Sequence, residues 1–243
     1  MKFRLDGKIA LIVGAGSGIG KATAEAMAES GATVVGADLK GAEYKLDIGD
    51  PAAVTATVDA IAAAHGTIDI LVVTPAVNVR KKLLQYTDEE LDRVVDLNLK
   101  ANFRVTRAAA QVMSRNPNGG SIVLTSSIRS VTVEQGQGIY AATKASLVQL
   151  ARAFAVELAP LNIRVNAIAP GIVETPLTSQ IKNNEAWYSA YANRNAMKRW
   201  AQPEEMAWPI VFLSSPAASY VTGTVLFVDG GWTGIDGRFD PPL

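Results

Sequence analysis

The chain is predicted to form an open, mostly parallel, doubly wound α/β sheet of about seven strands, in one domain spanning residues 1–243. Three observations carry that prediction. Short apolar runs without polar alternation recur along the chain, as strands buried on both faces require. Helical stretches separate most of them, as parallel crossovers need. The first run, Ile9 to Val13, opens directly into Gly14-Ala15-Gly16-Ser17-Gly18-Ile19-Gly20 and then an Ala-rich helix. Strand, glycine loop and helix in that order bring backbone N–H groups and a helix N-terminus up to a pyrophosphate.

The helix after the loop runs from about Gly18 to Glu29, with Gly31 as its C′ residue. The strand from Thr33 to Ala37 ends at Asp38, near the distance of about 20 residues at which a carboxylate binds the adenosine ribose. Such a carboxylate accepts from both ribose hydroxyls and repels a 2′-phosphate, so NAD is expected over NADP; Lys40 argues the other way. The link from Asp38 to a short strand, Glu43 to Leu46, is too short for a full helix and reads as an open loop. Asp47-Ile48 ends that strand, where an adenine could lie. Pro51 begins a helix to about Ala64, and His65 before Gly66 caps its C-terminus.

Ile70 to Val73 is the next buried strand, ending at Thr74-Pro75-Ala76-Val77. Asn78 to Tyr86 is polar and basic, with Arg80, Lys81 and Lys82 expected in a solvated loop. Thr87 and Glu90 form a capping box that opens one long helix to about Met113, with Asn98 inside it. Asn116 to Gly120 is a turn, Ile122 to Thr125 a buried strand, and Ile128 to Gln137 a loop holding Arg129 and Glu134. A helix bearing Tyr140 follows to about Leu158, then a strand from Ile163 to Ala169, broken by Pro170-Gly171. Thr175 to Trp200, with Trp187, Tyr188 and Tyr191, reads as a polar, aromatic lid over the substrate. Pro203 opens a helix to about Leu213, and Val225 to Val228 is the last strand. Asp229-Gly230-Gly231 turns the chain into a tail, Trp232 to Leu243, that is too polar for another core element.

Composition excludes several function classes. Hydrophobic residues make up 49% of the 243 and charged residues 19%, enough for a large core. Formal net charge is zero, so no basic stripe points to nucleic acid or a membrane surface. There is no cysteine, and His65 is the single histidine. That rules out a disulfide framework, a His/Cys metal cluster and any Ser-His-Asp triad that does not use His65. No apolar run approaches the roughly 18 residues of a membrane span, and the N-terminus lacks a signal-peptide core. A soluble, cytoplasmic protein acting on a small molecule is expected, with no metal.

The chemistry converges on Tyr140-Ala141-Ala142-Thr143-Lys144. Residues four apart on a helix share a face. A free phenol ionises near pH ~10, and a cation within about 4–6 Å lowers that by roughly 1–3 units, toward general acid/base range. Ser127, after the strand Ile122 to Thr125, offers a hydroxyl to hold a substrate oxygen beside the phenol. In doubly wound sheets ligands bind at the strands' carboxyl ends, where Gly14 to Gly20, Asp38, Ser127 and Pro170-Gly171 all fall.

These residues resemble the short-chain dehydrogenase/reductase family over almost the whole chain, on a Rossmann-type fold. Gly14, Gly18 and Gly20 match the family's cofactor loop, with Ser17 and Ile19 between them. Asn98, Ser127, Tyr140 and Lys144 match its catalytic tetrad in order and spacing. Asp47-Ile48 is similar to its adenine-contacting pair. The segment from Pro170 to Thr175 resembles the one that holds the nicotinamide carboxamide through Val173 and Thr175. The resemblance implies an NAD-dependent dehydrogenase with Asp38 and Leu39 at the ribose, Ala76 at the adenosine side, and a homotetrameric assembly. It further implies that Tyr140 is the acid/base, that Lys144 lowers its pKa and holds the nicotinamide ribose, that Ser127 orients the substrate oxygen, and that Asn98 supports a water relay.

Three departures stand out. Val13 replaces a Thr whose hydroxyl braces the loop, Thr74-Pro75-Ala76-Val77 replaces Asn-Asn-Ala-Gly, and the Asp38–Leu46 link lacks a helix. For the substrate, Arg129, two residues after Ser127, suits a carboxylate or vicinal hydroxyls unless Glu134 in the same loop takes it. A sugar, polyol or sugar acid is expected. The alternatives are a carrier-linked 3-ketoacyl reductase and a non-catalytic dinucleotide sensor.

Overall fold

The computed structural model describes residues Lys2–Ile235; the end of the predicted tail lies outside them. Seven strands form one sheet: β1 (Ile9–Val13), β2 (Thr33–Asp38), β3 (Tyr44–Lys45), β4 (Ile70–Val73), β5 (Gly120–Thr125), β6 (Ile163–Pro170) and β7 (Val225–Val228). Their order is β3-β2-β1-β4-β5-β6-β7, and every pairing is parallel. The order reverses between β1 and β4, where Val13 pairs with Ala37 on one side and Val73 on the other. This is the crevice in which such sheets bind ligands.

Strand alternation builds two cores. Leu11 and Val13 face one layer, against α2 (Pro51–His65), α4 (Asn102–Met113) and α5 (Gly138–Leu158), through Val58, Ile61, Val105, Met113 and Ala151. Ala10 and Ile12 face the other, against α1 (Gly18–Glu29) and α8 (Pro203–Ser214), through Ala26, Met27, Met206 and Ile210. Each large aliphatic side chain buried this way contributes about 1.5–3 kcal/mol.

The capping box forms as expected: Glu90 N–H donates to Thr87 Oγ1 at 3.3 Å, and Thr87 N–H donates to Glu90 at 3.0 Å. The helix it opens is not regular. Between α3 (Asp88–Val95) and α4, residues Asp96–Ala101 form a π turn. Asn102 Nδ2 donates to the Leu97 carbonyl at 3.1 Å, so a side chain satisfies a carbonyl in the widened turn. Such turns gather at functional sites, and this one carries Asn98. The 175–200 stretch holds α6 (Ser179–Lys182) and α7 (Glu185–Arg194). Among the described residues no helix is long and apolar enough to cross a membrane.

Candidate active site

The carboxyl ends of β1, β2 and β4 frame a cleft of about 370 Å³. Gly14, Ser17, Gly18, Ile19, Gly20, Asp38, Leu39, Asp47, Ile48, Ala76 and Thr175 line it, and so do Thr74, Pro75, Val77, Leu97 and Leu177. Of the residues expected at the cofactor, Pro170, Val173, Tyr140 and Lys144 lie beyond this cleft. Val173 is buried and bridges to Ala201, while Pro170 ends β6. The cradle is built for close backbone approach. A Cβ on Gly20 would fall 2.0 Å from the Gly14 carbonyl oxygen, and one on Gly14 would fall 2.1 Å from Thr74 Oγ1. No side chain caps the first turn of α1, which leaves its N–H groups for an anion. These residues fit a dinucleotide.

The loop brace expected to be missing at Val13 is supplied from the next strand. Thr74 Oγ1 donates to the Val13 carbonyl at 3.1 Å and reaches the Gly14 carbonyl at 3.4 Å. The two departures in the sequence therefore compensate one another. Asp38 Oδ2 accepts from the Gly16 N–H at 2.9 Å, so its carboxylate is fixed at the edge of the cleft.

A smaller pocket of about 80 Å³ adjoins it, lined by Asn78, Arg80, Ser127, Arg129, Gln137, Tyr140, Ile172, Leu177, Ile181 and Tyr191. Ser127 and Tyr140 meet here, one from the end of β5 and the other from the first turn of α5. Lys144 is one turn further along α5, 2% exposed, and its Nζ donates to the Thr125 carbonyl at 2.8 Å. Burial pushes the Tyr140 phenol up to about 12, opposed by the Ser127 hydroxyl and by the positive fields of Arg129 and Arg80. Burial pulls Lys144 down to about 7. Loss of solvent is the largest influence on both groups, and the Lys144 ammonium itself stands 5.6 Å from the centre of the Tyr140 ring.

The Asn98 side chain is held within the protein. Its Oδ1 accepts from Val77 N–H at 2.9 Å, and its Nδ2 donates to the Val77 carbonyl at 2.9 Å and to Thr143 Oγ1 at 3.1 Å. Both amide donors are thereby taken. The π turn aims this side chain at the strand-end loop, where it clamps Val77 to α5.

Arg129 is 8% exposed, and its guanidinium carbon stands 5.4 Å from the centre of the Trp232 ring. It pairs with Glu134, the alternative weighed for it, yet it still lines the pocket. Arg80 does not sit in a solvated loop: it pairs with Glu134 at 3.1 Å, faces the same pocket, and lies 5.7 Å from the Trp187 ring centre. The aromatics of the 175–200 stretch mostly stack on one another. Tyr188 lies on Trp200 at 4.9 Å between centroids, and Tyr191 packs against both Trp200 and Trp232. Of these rings, only Tyr191 reaches the pocket wall. Asn78 and Gln137 carry no sequence signal of their own, and only the fold brings them together with Tyr191 of the aromatic 175–200 stretch.

A seven-stranded parallel sheet with a glycine cradle at its switch point, beside a Ser–Tyr pocket backed by a buried lysine, defines a dinucleotide-dependent oxidoreductase. The chain belongs to the short-chain dehydrogenase/reductase family: residues 14–233 match the family model described as "Enoyl-(Acyl carrier protein) reductase". It is 39% identical to a 3-oxoacyl-acyl-carrier-protein reductase of Thermotoga maritima, over 94% of this chain and 98% of that protein. It is 35% identical to a 2-dehydro-3-deoxy-D-gluconate 5-dehydrogenase of Pseudoalteromonas atlantica, over 96% and 98%. Among solved structures, a gluconate 5-dehydrogenase from Burkholderia cenocepacia, in complex with NADP and tartrate, superposes with a TM-score of 0.92 at 32% identity, covering 96% of this chain and 98% of that one. The protein is thus an NAD(P)-dependent enzyme of this family.

Proposed function

We propose that the enzyme interconverts a secondary alcohol and a ketone on a sugar, polyol or sugar acid, with NAD as the preferred cofactor. The observation that carries the substrate class is the pair Arg80 and Arg129 on the wall of the pocket that holds Ser127 and Tyr140. Two guanidiniums beside a reacting oxygen suit a carboxylate or adjacent hydroxyls and disfavour a steroid or an alkyl chain. The gluconate-acting relatives support the same class.

The bound nicotinamide would accept or supply the hydride. Ser127 holds the substrate oxygen against Tyr140, which gives up a proton in reduction and takes one in oxidation. Lys144 lies behind them and is the residue to hold the nicotinamide ribose, with Val173 and Thr175 at the carboxamide. Asn98 fixes the floor on which Lys144 and Tyr140 stand. The 175–200 segment closes over the substrate as a lid. Asp38 favours NAD because its carboxylate would face a 2′-phosphate; the NADP bound to a structural relative is the contrary indication. The direct test of the substrate class is Arg129→Ala, which is expected to raise KM for the best sugar-acid substrate about tenfold, the ~1.4 kcal/mol of a lost charge-assisted bond. An unchanged KM would remove the argument from Arg129.

The 39% identity to the Thermotoga reductase favours a second reading, reduction of a 3-oxoacyl thioester. It predicts an NADPH preference and activity on an acetoacetyl thioester, both measurable on the same preparation.

A further inference from the structure

Glu134 stands behind the pocket wall and binds four of the residues that form it. Its Oε1 pairs with Arg80 at 3.1 Å and accepts from Tyr191 Oη at 2.6 Å. Its Oε2 accepts from Arg129 and, at 2.5 Å, from Gln137 Nε2. Those partners come from the loop after β4, the loop after β5, the start of α5 and the lid helix α7. One carboxylate thus joins the segments around the pocket.

The charge balance follows from the chemistry of the partners. Arginine does not deprotonate in proteins, so Arg80 and Arg129 carry two fixed positive charges. Glu134 removes one and leaves a net charge of one on this wall; Lys144 lies behind Tyr140, outside the lining, bonded to the Thr125 carbonyl. The neighbouring ions are paired elsewhere: Lys81 with Glu90 at 2.9 Å, Lys182 with Glu174, and Arg199 with Glu205. Lys82 is exposed in the adjoining loop. Gln137, Asn78 and Tyr191 complete the wall with neutral hydrogen-bonding groups, and the Asn78 Oδ1 is buried without a partner.

We propose that Glu134 is a positioning and specificity-determining residue: it holds Arg80 and Arg129 as a pair with one net positive charge and so matches the pocket to a substrate bearing a single carboxylate. This rests on the sugar-acid reading above and narrows it. A dicarboxylate or a phosphate dianion meets only one uncompensated cation, while a monocarboxylate is neutralised.

The test uses the full-length enzyme, Glu134→Gln and Glu134→Asp, with acetate and malonate as one- and two-carboxylate probes small enough for the pocket. Dissociation constants are measured by calorimetry, after thermal melts establish that each variant is folded. In the Gln variant the malonate-to-acetate affinity ratio is expected to rise at least tenfold. The Asp variant keeps the charge and shortens the reach, so it should bind both probes more weakly at the wild-type ratio. KM and kcat for D-gluconate then separate the proposals: Glu134→Gln should change KM with kcat held within about twofold. A ratio unchanged in Glu134→Gln, the same rise in both variants, or no binding of either probe to any form overturns the assignment of Glu134. Probe selectivity as predicted with no turnover of any sugar acid instead sinks the substrate reading and leaves the charge-setting role standing.

Discussion

The Lys144 ammonium donates to the Thr125 carbonyl at 2.8 Å and stands 5.6 Å from the centre of the Tyr140 ring. A single carbonyl replaces little of the hydration that a buried ammonium loses, which is why its pKa falls to about 7. Between about 7 and the ordinary 10.5, the folded state holds this proton less firmly than the unfolded chain. Stability should therefore rise with pH through that window. The Tyr140 phenol, raised to about 12, acts the other way above about 10. Lys144→Met, similar in volume and uncharged, should stabilise the cofactor-free enzyme at pH 7 by about 1 kcal/mol or more, roughly 2–4 °C in Tm. It should also flatten the rise of Tm between pH 7 and 9. A lower Tm at pH 7 with the slope retained would refute this account of Lys144.

Tyr140→Phe removes the proton donor and leaves the ring packed where it is. Turnover should drop below roughly 1% of wild type while cofactor titration by fluorescence gives an affinity within about threefold. Turnover well above that level would show that another group transfers the proton.

The sheet was legible because strands buried on both faces write themselves as apolar runs, and all seven predicted strands sit within a residue or two of their observed ends. The glycine cradle, Asp38 and the Ser127–Tyr140 pair were legible because their spacing is tied to strand ends and to one helix face. The π turn was not, since its signal lies in the bonding of Asn98 and Asn102 rather than in apolar periodicity. Nor was the environment of Arg80. Lys82 beside it is exposed and Lys81 pairs with Glu90, while tertiary contacts with Glu134, 54 residues away, and with Tyr191 and Trp187 turn Arg80 inward. The Thr74 brace was missed because its partner, the Val13 carbonyl, is backbone and leaves no mark in the sequence.

Thr74→Val keeps the shape of the side chain and removes the bonds to the Val13 and Gly14 carbonyls. The cost is about 1 kcal/mol for the lost hydrogen bond. Cofactor affinity should fall about five- to tenfold with kcat little changed. An unchanged affinity measured by calorimetry would mean that the loop holds its shape without the hydroxyl.

Asp38→Ala should narrow the preference for NAD by raising KM for NAD at least fivefold and leaving NADP unchanged or improved. The loop should also loosen, because Gly16 N–H loses its 2.9 Å acceptor. The comparison of kcat/KM for the two cofactors in both proteins decides it, and a wild-type preference for NADP would overturn the assignment.

Assembly is expected through α4 and α5. Phe103 stacks on Phe154 at 5.8 Å, Phe103 is partly exposed, and Val156 on the same helix pair is exposed. Apolar side chains left open on neighbouring helices mark an interface. Light scattering at micromolar concentration should give about four times the 25.7 kDa chain mass. A mass near one chain would exclude the tetramer.

The central claim is a sugar-type secondary alcohol handled with NAD by Ser127 and Tyr140. Its most direct test sets kcat/KM for D-gluconate and a polyol panel with NAD against kcat/KM for an acetoacetyl thioester with NADPH. The account predicts that at least one sugar acid or polyol with NAD exceeds the thioester by tenfold or more. A thioester reduction with NADPH that outruns every sugar and polyol would contradict it.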